Sequence, residues 1–142
     1  MRGIEQIPAL YDAGIAVLEA TGMGRWRRWL AAEATGRVLD LGCGTGRNLP
    51  FYRGRARPVG LDPCTEVLRA ARRRAPGIPF VLGVAERLPF RSGAFDTVVS
   101  GLVFCSVAEP PLAFSEVRRV LAPGGTLRML APGSDLFAES LD

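Results

Sequence analysis

The stretch Val38-Leu39-Asp40-Leu41-Gly42-Cys43-Gly44-Thr45-Gly46-Arg47-Asn48-Leu49 decides how the chain is read. Val38, Leu39 and Leu41 make the apolar run of a central parallel strand. Gly42, Gly44 and Gly46 make a turn whose backbone can take positive φ and come close to a ligand. The pattern predicts a helix from about 46 to 53, its first free N–H groups pointing into the same crevice. Asp40 falls at the carboxyl end of the strand, where open α/β sheets bind their ligands.

Two kinds of nucleotide ligand suit such a loop. A dinucleotide site uses G-x-G-x-x-G, whose third glycine lets helix and strand pack closely around a pyrophosphate. Counted from Gly42, that glycine belongs at position 47, which is Arg47; the glycine is Gly46 instead. The pattern is D-x-G-x-G-x-G, with an acid ahead of the glycines. An acid there repels a pyrophosphate and suits a cationic group, an ammonium or a sulfonium. By itself the loop is also compatible with a tight strand-to-helix turn of no chemical consequence.

Composition sets the outer bounds. A chain of 142 residues is one domain by size and long enough to bury a core. No apolar run reaches the ~18–20 residues of a membrane span, and the N-terminus lacks the layout of a signal peptide. A cytoplasmic location is expected. All 18 basic residues are Arg, against 14 acidic ones, and there is no His. That removes the commonest neutral-pH general base and the commonest metal ligand, so no metal site is expected. The cysteines Cys43, Cys64 and Cys105 match no zinc spacing, and their odd number argues against a disulfide framework. They read as small thiols in a reducing compartment.

Outward from the glycine loop the elements alternate. Residues 4–35 are expected to be mostly helical, broken at Thr21-Gly22-Met23-Gly24. Trp26, Trp29 and Leu30 form one apolar stripe that packs on the sheet, and Gly36 ends the segment as a left-handed cap. A second strand, about 58–61, ends at Asp62, 20 residues after Gly42. At that offset an acid meets ribose hydroxyls in Rossmann-type sheets, and a carboxylate can accept both hydrogen bonds of a vicinal diol. Asp62 is equally placed to cap the helix 65–74. That helix ends in Arg72-Arg73-Arg74, which complement its dipole. Further strands are expected over 79–82, 94–100 and 126–130, a helix over 110–121, and a short helix from Ser134 to about 141. Strands alternating with helices call for an α/β fold with a parallel sheet and right-handed crossovers.

Four segments together resemble class I S-adenosylmethionine (SAM)-dependent methyltransferases, within them the methyltransferase type 11 family with its ubiquinone- and menaquinone-biosynthesis branch. They are Val38–Asn48, Val59–Asp62, Leu82–Ser100 with its L-P-F-x-x-G-x-F-D at Leu88–Asp96, and Ser115–Leu130 with its helix-P-G-G-strand signature. The resemblance covers about residues 34–131. It implies a Rossmann-like doubly wound sheet of order 3-2-1-4-5 over residues 36–142, preceded by an N-terminal helical lid over 1–35. It implies SAM as cofactor and methyl transfer to a small-molecule or lipid-like acceptor. In the SAM site Asp40 and Gly42, Cys43, Gly44, Thr45 and Gly46 would hold the methionine part. Asp62, with Pro63, would hold the ribose, and Val84, Ala85 and Glu86 would line the adenine edge. Ser100 and Gly101 would face the methyl group, with Asn48 and Tyr11 on the pocket wall and Tyr11-Asp12 in the lid. No catalytic residue is implied, because aligning an already acidic acceptor with the S–CH₃ bond can suffice. Cys105 and Ser106 fall on a loop expected near the acceptor.

Two departures from the family pattern carry expectations of their own. The family usually has an Asp for the adenine amino group where this chain has Val84. The chain is also expected to lack the usual C-terminal antiparallel strand pair, leaving the fifth strand as a bare edge through which copies could associate. The alternative is a non-catalytic SAM-fold protein or a subunit that needs a partner. No nucleic-acid partner is expected, and a peripheral membrane contact is compatible with the Arg- and Trp-bearing helix near residue 26.

Overall fold

The computed structural model describes residues 24–101 and 107–130, and the backbone of 137–140. Tyr11, Asp12, the helix expected before residue 21, Cys105, Ser106 and Ser134 lie outside the described residues.

Helix α1 (Gly24–Ala32) leads into β1 (Gly36–Leu41), followed by β2 (Ala56–Asp62), α2 (Thr65–Arg74) and β3 (Phe80–Leu82). Then come β4 (Phe95–Gly101), α3 (Pro110–Val120), β5 (Leu121–Leu130) and β6 (Phe137–Ser140). The sheet order is β3-β2-β1-β4-β5-β6. The first five strands are parallel, in the expected 3-2-1-4-5 order, and β6 runs antiparallel to β5.

Alternation along β1 assigns its two faces. Leu39 and Leu41 join Leu61, Val98 and Leu127 under Ala113, Val117 and Val120 of α3. Val38 packs on the other face with Val99 and with Leu30 and Ala34 from α1 and its exit. Helices therefore cover both faces, which is why β1 and β4 are buried along most of their length.

Several expectations are corrected. The helix over 46–53 is a single 3₁₀ turn, Leu49–Phe51. Gly46 ahead of it sits at φ +86°, and Pro50 inside it has no N–H to give a helical ladder. The helix expected to about 141 is replaced by β6, whose pairing spans Thr126↔Ser140 to Met129↔Phe137. An unpaired β5 edge would leave a row of backbone donors and acceptors without partners, and that demand outweighs the weak capping signal of one serine. The fifth strand is consequently not the bare edge through which association was expected. In α1, Leu30 is buried and Trp29 is partly buried, but Trp26 is exposed, so the stripe reaches the sheet only in part. Trp29 lies under Arg128, whose guanidinium carbon is 4.2 Å from the ring centroid.

Gly36 takes the left-handed conformation, φ +71°, but opens β1 rather than capping α1. A Cβ there would collide with the carboxylate of Asp96, only 2.3 Å from Oδ2. Asp96 is tied closely: it accepts from the Arg37 backbone N–H (2.8 Å) and from the Arg37 guanidinium (3.2 and 3.1 Å). The aspartate of L-P-F-x-x-G-x-F-D thus pins the start of β4 to the start of β1.

Candidate SAM site

The strand register brings the carboxyl ends of β1, β2 and β4 level. Leu41 pairs with Leu61 and with Ser100, so Asp40, Asp62 and Ser100 stand together at the carboxyl ends of three adjacent strands. Beyond β1 the loop turns on Gly42 (φ +66°), Gly44 (φ +56°) and Gly46 (φ +86°). L side chains rarely adopt that conformation, so the alternate glycines are a backbone requirement. The turn is closed by hydrogen bonds from Cys43 N–H to Leu61 O (3.0 Å) and from Gly46 N–H to Cys43 O (3.0 Å).

Asp40 is fully buried. Its Oδ1 accepts from Asn48 Nδ2 at 3.3 Å; its Oδ2 has no partner among the described residues. Burial pushes the Asp40 carboxyl up to about 6, with Asn48, Tyr52 and Arg27 opposing the rise. The Tyr52 hydroxyl lies beside the same carboxyl, near enough to affect its titration yet outside hydrogen-bond geometry, and is itself unpartnered among the described residues. Ser100 Oγ is a third buried polar atom of this kind. Buried polar atoms left unpaired cost about 1–3 kcal/mol each, and these three, without partners among the described residues, lie close to one end of the sheet.

Asp62 uses both carboxylate oxygens locally. Oδ2 accepts from Gly44 N–H (3.1 Å) and Oδ1 from Cys64 N–H (3.0 Å), so it joins the glycine loop to the start of α2. Each oxygen keeps a lone pair for a further donor. Burial raises its carboxyl and these two bonds oppose the rise. Cys43 is buried, and burial holds its thiol well above the ordinary range, which makes it a packing residue rather than a nucleophile. Thr45 and Asn48 are buried in the loop, and Pro63 is exposed at its rim.

In the segment expected to line the adenine, Val84 is 45% exposed and Ala85 is buried. The carboxylate of Glu86 faces the start of α3, where Oε1 accepts from Ala108 N–H (3.1 Å) and Glu109 N–H (3.4 Å). The Leu88–Phe90 segment beside it is clamped from α3. Leu88 N–H donates to Glu116 Oε2 (2.8 Å), while Arg119 donates to Glu116 and to the carbonyls of Phe90 (2.7 Å) and Leu88 (3.0 Å). Phe90 stands edge-on to Phe95, ring centroids 4.9 Å apart. The E-x-x-R of one motif therefore holds the L-P-F of another.

Sequence patterning missed two residues here. Tyr52 reaches the site because the chain turns at 49–51, where a continuous helix was expected. Arg27 donates from Nη1 to Asn48 Oδ1 at 2.8 Å across 21 positions of sequence, with no local signal.

The methyltransferase domain family matches residues 39–129. The chain belongs to this family. A demethylmenaquinone methyltransferase of Renibacterium salmoninarum is 36% identical over 129 residues, covering 87% of this chain and 54% of the relative. Human thiol S-methyltransferase TMT1B is 41% identical over 103 residues, covering 66% of this chain and 42% of that one. The structure of a SAM-dependent methyltransferase from Thermotoga maritima superposes with a TM-score of 0.59 at 32% identity, covering 66% of this chain and 43% of that one. The chain spans about half the length of the curated relatives it matches. Among the described residues no helix is long and apolar enough to cross a membrane, and no cluster of His, Cys, Asp and Glu could hold a metal ion.

Proposed function

We propose that this chain binds SAM across the carboxyl ends of β1, β2 and β4 and transfers its methyl group to a small-molecule acceptor. One observation carries the proposal: Asp40 is wholly buried, with a carboxylate oxygen that has no partner among the described residues, next to a loop built from three left-handed glycines. A bare buried carboxylate oxygen is costly until a cation meets it. The ammonium of an amino-acid ligand supplies that cation and two or three N–H donors.

The remaining roles follow from position. The backbone of Gly42–Gly46, with Cys43 and Thr45 packed inside, supports the methionine chain. Asp62 accepts the ribose hydroxyls with its free lone pairs, and Pro63 borders the sugar. Val84 and Ala85 line the adenine, the exposed valine offering an apolar contact in place of a hydrogen bond. Glu86 contributes through its backbone, because its carboxylate is engaged with residues 108 and 109. Ser100 and Gly101 close the methyl end. SAM when bound supplies an electrophilic methyl on a sulfonium, a good leaving group. The protein's part is to orient the cofactor, exclude water and hold the acceptor in line. The family relatives named for demethylmenaquinone and for thiols make an acidic ring carbon or a thiolate the acceptors to screen first.

Isothermal calorimetry with SAM and with S-adenosylhomocysteine tests the site. Wild type binds both, and Asp62→Ala and Asp40→Asn each weaken binding at least tenfold while the fold melts cooperatively. Unchanged affinity in both variants would refute the placement.

A further inference from the structure

Arg27 reaches from α1 into the methionine end of the crevice. Its Nη1 donates to Asn48 Oδ1 (2.8 Å), and Asn48 Nδ2 donates in turn to Asp40 Oδ1 (3.3 Å). Asn48 is only 4% exposed and Asp40 is wholly buried, so the bond between them is shielded from water, and the Arg27 bond is partly so. The chemistry of the three groups makes the chain directional. A guanidinium only donates and an ionised carboxylate only accepts, whereas an amide does both. With Arg27 on one side, the amide oxygen must face it and the amide NH₂ must face Asp40. Turned over, the amide would set NH₂ against guanidinium and oxygen against carboxylate, two repulsive contacts in place of two bonds. Asn48 therefore engages Oδ1 and fixes the carboxyl plane, and Oδ2, with the Tyr52 hydroxyl nearby, is the oxygen that accepts no hydrogen bond among the described residues.

We propose that Arg27 is a positioning residue for the amino-acid end of the cofactor: through Asn48 it locks Asp40 so that Oδ2 is presented to the ligand's ammonium. The proposal rests on the SAM reading of the site. It goes beyond that reading by placing a determinant of cofactor affinity in α1, outside the strand-loop motif and outside the matched residues 39–129. It also gives α1 a reason to be docked where it is, since Leu30 fastens the same helix to Val38 and Val99 directly below.

The test compares two ligands that share adenine and ribose. S-adenosylhomocysteine carries the amino-acid end and 5′-methylthioadenosine lacks it. In Arg27→Gln and Asn48→Ala, affinity for S-adenosylhomocysteine should fall about tenfold, the loss of one charge-assisted bond. Affinity for 5′-methylthioadenosine should stay within about twofold of wild type, and Arg27→Lys, which keeps a donor for Asn48, should restore part of the loss. Because Arg27 acts through Asn48, the double variant should lose no more than Asn48→Ala does. Should Arg27→Gln fail to melt cooperatively, Arg27→Met keeps the stem packed and serves in its place. Additive losses would show that Arg27 contacts the ligand itself and would overturn the proposal. So would equal weakening of both ligands, or a folded Arg27 variant that binds S-adenosylhomocysteine normally. A wild-type chain that binds neither ligand would overturn the functional reading and this proposal together, whereas wild-type binding with an indifferent Arg27 overturns the proposal alone.

Discussion

A carboxyl group taken wholly out of water prefers its proton, and Asp40 shows the consequence. Its titration is raised from an ordinary carboxylate to about 6. The folded protein thus holds this proton more tightly than the unfolded chain, and stability is lost as pH rises from about 4 through about 6. The penalty is complete above that range and amounts to about 3 kcal/mol in the ligand-free protein. Asp40→Asn removes the buried charge. It should raise the ligand-free melting temperature at pH 8 and flatten its pH dependence between 4 and 7, while abolishing tight SAM binding. Thermal scans across that range check it; a variant no more stable than wild type at pH 8 would show that Asp40 is better solvated than its burial indicates. Cofactor affinity should move the other way. An ammonium beside Asp40 needs the ionised form, so the dissociation constant should rise up to about tenfold per pH unit below about 6. Calorimetry at pH 5 and pH 7.5 reads this directly.

At the scale of elements, the L-P-F segment and α3 form one clamped unit. Leu88 N–H ends on Glu116, and Arg119 holds that carboxylate together with two carbonyls of the segment. Arg119 holds the Glu116 carboxyl below its usual range. Glu116→Ala should destabilise the fold by about 1–3 kcal/mol, since it frees a backbone donor and a guanidinium at once. Denaturant unfolding measures it, and hydrogen exchange should show amides 84–90 opening first. A loss below about 0.5 kcal/mol would mean the segment holds itself. The β2 strand offers a sharper steric test. A Cβ on Gly60 would come within 2.6 Å of the Phe80 ring and 2.9 Å of Cys43 Sγ. Gly60→Ala should therefore cost about 1–3 kcal/mol by overpacking and disturb the glycine loop through Cys43.

For the whole molecule, the sheet runs from β3 to β6, with the proposed cofactor crevice at one end of its strands and the Asp96–Arg37 ties at the other. A ligand at a hundred times its dissociation constant adds about 2.7 kcal/mol to the folded state. The chain should therefore show a clear rise in melting temperature with S-adenosylhomocysteine. A cooperative melt indifferent to it would mean that this span does not hold the cofactor unaided. Removing residues 136–142 strips β6 from β5 and exposes four residues of ladder. Light scattering should then reveal association that the intact chain does not show.

What the sequence by itself determined is what depends on neighbours along the chain. Alternating apolar runs and turns set an α/β domain. The acid-and-glycine spacing of Asp40 to Gly46 set the character of the loop, because strand, left-handed turn and exposed backbone are local properties. Position 62 was legible for the same reason: the end of the second strand lies at a regular offset from the first. Tertiary structure decided the rest. Only packing shows that Asp40 has one oxygen bonded by Asn48 and one without a partner among the described residues, or that Asp96, Glu116 and Arg119 tie elements of the scaffold together. The 3₁₀ turn at 49–51 and the pairing of β6 were settled by Pro50 and by the demand of β5 for a partner. Arg27 could not be found in advance at all, since a hydrogen bond between positions 27 and 48 exists only once a helix and a loop have been brought together over the same buried carboxylate.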